Sequence, residues 1–325
     1  MKKLLTIALI TILALSTVFA SGAKEDNGVK KYKIGVSKLL THPALDAIAQ
    51  GISDYLATTD LNYEIREENA NGDISTCASI AALFKEEKVD VAVGIATPTA
   101  QAIFNALPNT LQVYSSVTDP VSAGLTDNDL VCGVSDMVPV NTHLELITKL
   151  TGAKSVGMVY TSSEANGITL MEAMQSACDA KGIKLVTVAV STSAEVRVAA
   201  QSIIDRVDAV YVATDNTVVS AITALSDVCA QAKKPLFSAD TTSSFDTDVL
   251  LAGGFDYYKS GLLTGQLIER VIKGEKPTDI GMTLLDEASL ELYINLDVAE
   301  KLGIAISDDM IKNAAYVIKD GKNTK

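Results

Sequence analysis

Four acids, Asp119, Asp136, Asp215 and Asp240, fall at expected strand ends or at expected crossings of the chain. Small polar residues crowd the same junctions. "GIATPTAQAI" places Thr97 and Thr99 after "VDVAV", "SSEANG" places Ser163 and Asn166 after "SVGMVY", and "ATDNTVVSAI" places Asp215 and Asn216 after "DAVYV". Such residues cap helices, and they also offer hydroxyls, carboxylates and free backbone N–H groups to a ligand. The chemistry that suits them is recognition of a zwitterion. A carboxylate can rest on a helix N-terminus near Thr97 to Thr99 or near Ser163 to Asn166, and an ammonium needs one of the acids.

Other chemistries lack their residues. The two histidines, His42 and His143, sit in no triad pattern, and His143 is expected on a helix surface. "GVSDM" at Gly133 lacks the second glycine of a nucleophile elbow. There is no phosphate-binding glycine motif and no His/Cys cluster, so neither catalytic residue, metal nor cofactor is expected. The four arginines, Arg66, Arg197, Arg206 and Arg270, avoid the strand-end loops, which disfavours highly anionic ligands. Tryptophan is absent, which weakens a sugar site built on indole stacking. A net charge of −13 argues against nucleic acid as a partner.

The elements that must hold these residues alternate. "KIGVS", "NYEIRE", "VDVAVG", "LQVYSS", "SVGMVY", "KLVTVAV", "DAVYVA", "PLFSA" and "VLLAGG" read as strands, and amphipathic stretches such as "PALDAIAQGISDYLA" and "TLMEAMQSACDAKG" lie between them. Apolar strands separated by helices imply parallel βαβ units. The expected fold class is α/β, with two doubly wound parallel-sheet lobes and a cleft between them. Lobe 1 is expected over 31–135 with 242–285, and lobe 2 over 136–241 with 286–322. The strand "VLLAGG" is thereby assigned to lobe 1.

The first residues have another purpose. Lys2 and Lys3 precede an apolar run from Leu4 to Phe19, with Val18 and Ala20 at the small positions of a signal-peptidase site, so 1–20 is read as a signal peptide and 21–30 as a flexible leader. The alternative is an uncleaved leader that keeps the chain on a membrane. Export permits disulfides, but Cys77, Cys132, Cys178 and Cys229 show no spacing that pairs them, and buried free thiols are the simpler expectation.

Seven segments together resemble one family: "HPALDAIAQGISDYL" at 42–56, "VGIATPTAQAI" at 93–103, "SVTDPVSAGL" at 116–125, "GVSD" at 133–136, "YTSSEANG" at 160–167, "TDNTVVS" at 214–220 and "INLDVAEKLGI" at 294–304. It is the substrate-binding proteins of ABC transporters, of the type that includes tryptophan and tyrosine binders. The resemblance implies a type I periplasmic-binding architecture with three crossings between the lobes, no enzymatic activity, and a membrane permease as partner. It marks Thr97, Thr99, Thr118 and Asp119 as first-lobe contacts, and Ser163, Asn166, Asp215, Asn216 and Asp240 as second-lobe contacts. Thr41 and His42 would line the cleft wall, although a histidine before Pro43 also suits the turn into a helix. Asp136 is either a contact or a hinge residue. Tyr160, Tyr211 and Phe245 are the aromatics placed to stack on an aromatic amino acid, or else belong to the core. The expected protein is an exported, monomeric receptor for such an amino acid. The alternatives are a nucleoside or other heterocycle receptor on the same fold, and a sensor that signals to a membrane partner.

Overall fold

The computed structural model describes residues 30–325, so the expected signal peptide and nearly all of the leader lie outside the described residues. Two sheets organise the chain. The first has the order β11-β5-β4-β3-β1-β2 and is parallel throughout. Its strands are β1 (Tyr32–Lys38), β2 (Tyr63–Asn69), β3 (Val91–Ile95), β4 (Leu111–Ser115), β5 (Val131–Ser135) and β11 (Met282–Leu284). The central strand β3 is buried at every position, as a strand covered by helices on both faces must be. At the edge, β2 instead alternates between half-buried and exposed residues over Tyr63–Arg66.

The second sheet has the order β14-β13-β12-β10-β9-β8-β6-β7. It contains β6 (Ser155–Thr161), β7 (Lys184–Val190), β8 (Ala209–Val212), β9 (Leu236–Ser238), β10 (Leu251–Gly254), β12 (Glu291–Asn295), β13 (Tyr316–Lys319) and β14 (Lys322–Asn323). The run from β7 to β10 is parallel, and β12 then pairs antiparallel with β10.

The strand "VLLAGG" therefore belongs to the second sheet and not to the first lobe. Leu251 pairs with Phe237 on one side and Ile294 on the other, which buries an apolar strand that an edge position would expose. The chain crosses between the sheets three times: after Ser135, between Gly254 and the helix starting at Tyr257, and between Leu284 and Glu291.

Helices α1 (Pro43–Ala57), α2 (Ile74–Glu87), α3 (Thr97–Ala106) and α9 (Tyr257–Ile272) pack on the first sheet. Pro43 starts α1, where its missing N–H costs nothing, and Asp73 caps α2 by accepting from the Ser75 and Thr76 amides. Around the second sheet lie α4 (Val140–Thr151), α5 (Ala165–Lys181), α6 (Val196–Ile203), α7 (Asn216–Ser220) and α8 (Ile222–Ala232). Three short helices complete the set, α10 (Pro277–Ile280), α11 (Leu296–Leu302) and α12 (Asp308–Asn313).

α1 and α9 meet backbone to backbone. A Cβ on Gly51 would lie 2.3 Å from the Tyr258 carbonyl oxygen, and one on Gly261 would lie 2.2 Å from the Ile48 carbonyl oxygen. This close approach fixes where α9 begins, and therefore where Tyr257 stands.

All four cysteines are free and buried. Burial pushes the thiols up, Cys77 and Cys178 to about 11 and Cys132 and Cys229 to about 12. His143 is not a surface residue, because it is 6% exposed and its Nδ1 lies 2.8 Å from the Tyr211 hydroxyl. No helix among the described residues is long and apolar enough to cross a membrane.

Candidate functional site

Between the two sheets, at the ends where their strands feed helix N-termini, fourteen residues enclose a cavity. From the first lobe come His42, Ala44 and Leu45 at the start of α1, Thr97 at the start of α3, Ser116 and Thr118 after β4, Asp136 after β5, and Tyr257 at the start of α9. The second lobe supplies Asn166, Thr214, Asp215, Asn216, Val219 and Asp240. The cavity is only about 20 Å³, room for roughly one water molecule, so the lobes are shut. A hydrogen bond of 3.0 Å between the Ser122 and Thr169 hydroxyls joins them at the rim.

Strand-to-helix junctions here are tightly wound. Ala96, just before α3, has φ 78° and ψ 156°, and Ser116 has φ 53°. Non-glycine residues held in the left-handed region cost on the order of 1–3 kcal/mol and persist where surrounding structure enforces them.

The acids are buried and held by donors of the chain itself. Asp136 accepts from Tyr257 at 3.1 Å and from Thr118 at 3.3 Å, and thereby ties the first crossing to the second. Burial pushes its carboxyl up to about 6. Asp215 caps α7 through the Val218 amide at 3.1 Å and also accepts from the Thr161 amide at 2.6 Å and hydroxyl at 2.7 Å. Burial, with the charge of Glu164 adding to it, raises Asp215 to about 7. Asp240 accepts from the Thr242 and Ser243 amides and from the Ser243 hydroxyl.

Glu164 stands just behind the wall at 1% exposure. It takes hydrogen bonds from the amides and side chains of both Asn216 and Thr217, and from Asn166. His42 is the reverse case. It is buried, its imidazole is held below its ordinary range by that burial, and among the described residues neither ring nitrogen has a hydrogen-bond partner.

Of the residues singled out in the sequence, His42, Thr97, Thr118, Asp136, Asn166, Asp215, Asn216 and Asp240 meet at the cavity. Five stand elsewhere. The Thr99 hydroxyl is spent on the Ile95 and Ala96 carbonyls, as buried threonines in a first turn can be. Thr41 is exposed and accepts from Asn69, and Asp119 turns back on the Val121 amide. Ser163 is exposed, and Tyr160 packs half-buried against the second-lobe core.

The aromatic in the wall is Tyr257, while Tyr211 bonds His143 and Phe245 packs edge-on against Tyr293 and Tyr316. Sequence reasoning missed Ala44, Leu45, Ser116, Thr214, Val219, Tyr257 and the supporting Glu164. All of these except Tyr257 lie within the segments that carry the family resemblance. Tyr257 gave no local signal, because only the packing of α9 on α1 brings it there. Among the described residues, no group of three or more His, Cys, Asp or Glu side chains could hold a metal ion.

Residues 33–318 match the family model "ABC transporter substrate binding protein". The chain belongs to that family. Among its relatives, the tyrosine-binding protein of Clostridioides difficile (strain R20291) is 33% identical over 345 residues, covering 100% of this chain and 98% of the relative.

Solved structures of the family agree, and the fold is that of type I periplasmic binding proteins. An ABC domain from Streptococcus pneumonia in complex with L-Trp is 32% identical with a TM-score of 0.83, over 89% of this chain and 100% of that one. A ligand-free, open structure of a substrate-binding protein with adhesive properties from Clostridium difficile is 31% identical with a TM-score of 0.66, over 89% and 99%. The chain's TM-score is higher to the Trp complex than to the ligand-free, open structure.

Proposed function

We propose that this protein is an exported receptor for an aromatic amino acid, tryptophan, tyrosine or phenylalanine, and that it delivers this ligand to an ABC permease. In this reading it acts as a monomer outside the cytoplasm after loss of residues 1–20, carries out no catalysis and binds no nucleic acid. The observation that carries it is the charge of the cavity wall. Asp136, Asp215 and Asp240 line it, and no lysine or arginine does so among the described residues. Buried carboxylates without a cation are costly, so the wall asks for a ligand with a positive group. An amino acid supplies an ammonium, whereas sugars and nucleosides do not. The names of the relatives support an aromatic side chain, and Leu45, Val219 and Tyr257 offer it apolar surface.

A thermal-shift screen of the mature chain tests this. A ligand bound only by the folded state at about 100 times its dissociation constant adds roughly 2.7 kcal/mol of stability. One or more of the three aromatic amino acids should raise the melting temperature, and adenosine, uridine and glucose should not. A rise with nucleosides and none with amino acids would transfer the site to the heterocycle reading.

A further inference from the structure

A zwitterion can lie either way round between the two lobes, and the second lobe carries features that distinguish the two orientations. Asn166, 3% exposed, gives its Nδ2 to the Thr214 carbonyl at 2.9 Å and to Glu164 at 3.3 Å. Both of those partners are acceptors, so the amide can only be oriented with its nitrogen toward them. Its Oδ1 is then left buried, and among the described residues it has no partner. A buried, unmet acceptor is costly unless a donor arrives.

The helix N-termini beside it are already compensated by the chain's own anions. Glu164 accepts from the first two amides of α7. A Cβ on Gly167, in the first turn of α5, would lie 2.6 Å from Asp215 Oδ2, so a second carboxylate faces that turn. A ligand carboxylate placed there would be set against two acids of the chain itself. Across the cavity, α3 opens with Thr97, which is 2% exposed, and the Ser116 and Thr118 hydroxyls stand near it in the same wall. The remaining acid on that side, Asp136, is turned onto Thr118 and Tyr257.

We infer that Asn166 Oδ1 accepts the ligand ammonium, and that the ligand carboxylate lies against Thr97 at the start of α3. Asn166 is then the residue that sets which way round the amino acid lies, with Glu164 fixing the amide that does so. This rests on the amino-acid reading of the cavity.

The test is calorimetric titration of L-tryptophan and of indole-3-propionate, which lacks the ammonium, into the mature parent, Asn166→Leu and Thr97→Val, followed by a crystal structure of the parent complex. Loss of a hydrogen bond to a charged group corresponds to roughly 10- to 100-fold in affinity. Asn166→Leu should lose that factor for L-tryptophan and change little for the propionate, whereas Thr97→Val should weaken both. In the crystal the ligand nitrogen should lie within hydrogen-bond distance of Asn166 Oδ1. If the parent binds tryptophan but its carboxylate lies at Asn166, or Asn166→Leu weakens both ligands alike, the orientation is wrong while the receptor reading stands. If tryptophan, tyrosine and phenylalanine all fail to bind the parent, the receptor reading falls and takes the orientation with it.

Discussion

At the scale of single residues, the cleft stores its acids at a cost that pH reveals. Asp136 is raised to about 6 by burial, against an ordinary value of 3.8. A carboxyl whose folded value is raised contributes stability that is full below the ordinary value and is lost as pH climbs through the folded one. Its window is therefore roughly pH 4 to 6. His143 works in the opposite sense: burial lowers it to about 4, so its contribution is present above 6.5 and is lost as pH falls. The parent's melting profile mixes the two slopes, and a variant separates them. Asp136→Asn should gain stability relative to the parent between pH 4 and 7, by on the order of 3 kcal/mol, measured as the difference in denaturant midpoints. A difference that stays flat with pH would show that Asp136 is not held protonated by burial. The junction acids Asp215 and Asp240 were legible in the sequence because strand ends could be read from apolar runs, whereas Asp136 was marked only by the expected crossing, since strand β5 before it was not read. Thr99 and Asp119 stand at the same junctions, yet hydrogen bonds to their own backbone turn them away from the cavity.

At the scale of elements, the α1–α9 contact positions one wall of the site. Gly51 and Gly261 let the helices touch, and α9 brings Tyr257 to Asp136. Gly261→Ala should cost at least the 1–3 kcal/mol of an overpacked core, since its methyl would meet backbone that cannot rotate away. The measurement is a denaturant melt, and a stabilised variant would mean that the helices can part freely. A helical period in "DYYKSGLLTGQLIERVIKG" announces α9 from sequence, but not its partner. The strand before it illustrates the same limit. "VLLAGG" is plainly a strand, yet its sheet is chosen by pairing with β9 and β12, a long-range contact that periodicity does not encode.

At the scale of the whole molecule, two sheets joined by three crossings enclose the cavity, and Asp136 and Tyr257 link two of those crossings at its wall. The small cavity is walled by both lobes, so the lobes must part to admit an amino acid and settle around it. The α/β class and the two-lobed plan were legible because nine strands and their intervening helices alternate without a long break. The shut arrangement was not, since it depends on contacts between the lobes. The absence of tryptophan from the chain makes one measurement decisive. When the mature protein is titrated into L-tryptophan and the mixture is excited where tyrosine does not absorb, all emission comes from the ligand. The emission should shift to the blue as the indole leaves water, and the shift should saturate at one equivalent of protein. Emission that stays at the position of free tryptophan throughout the titration, with L-tyrosine and L-phenylalanine giving no thermal stabilisation, would contradict binding of an aromatic amino acid in this cleft.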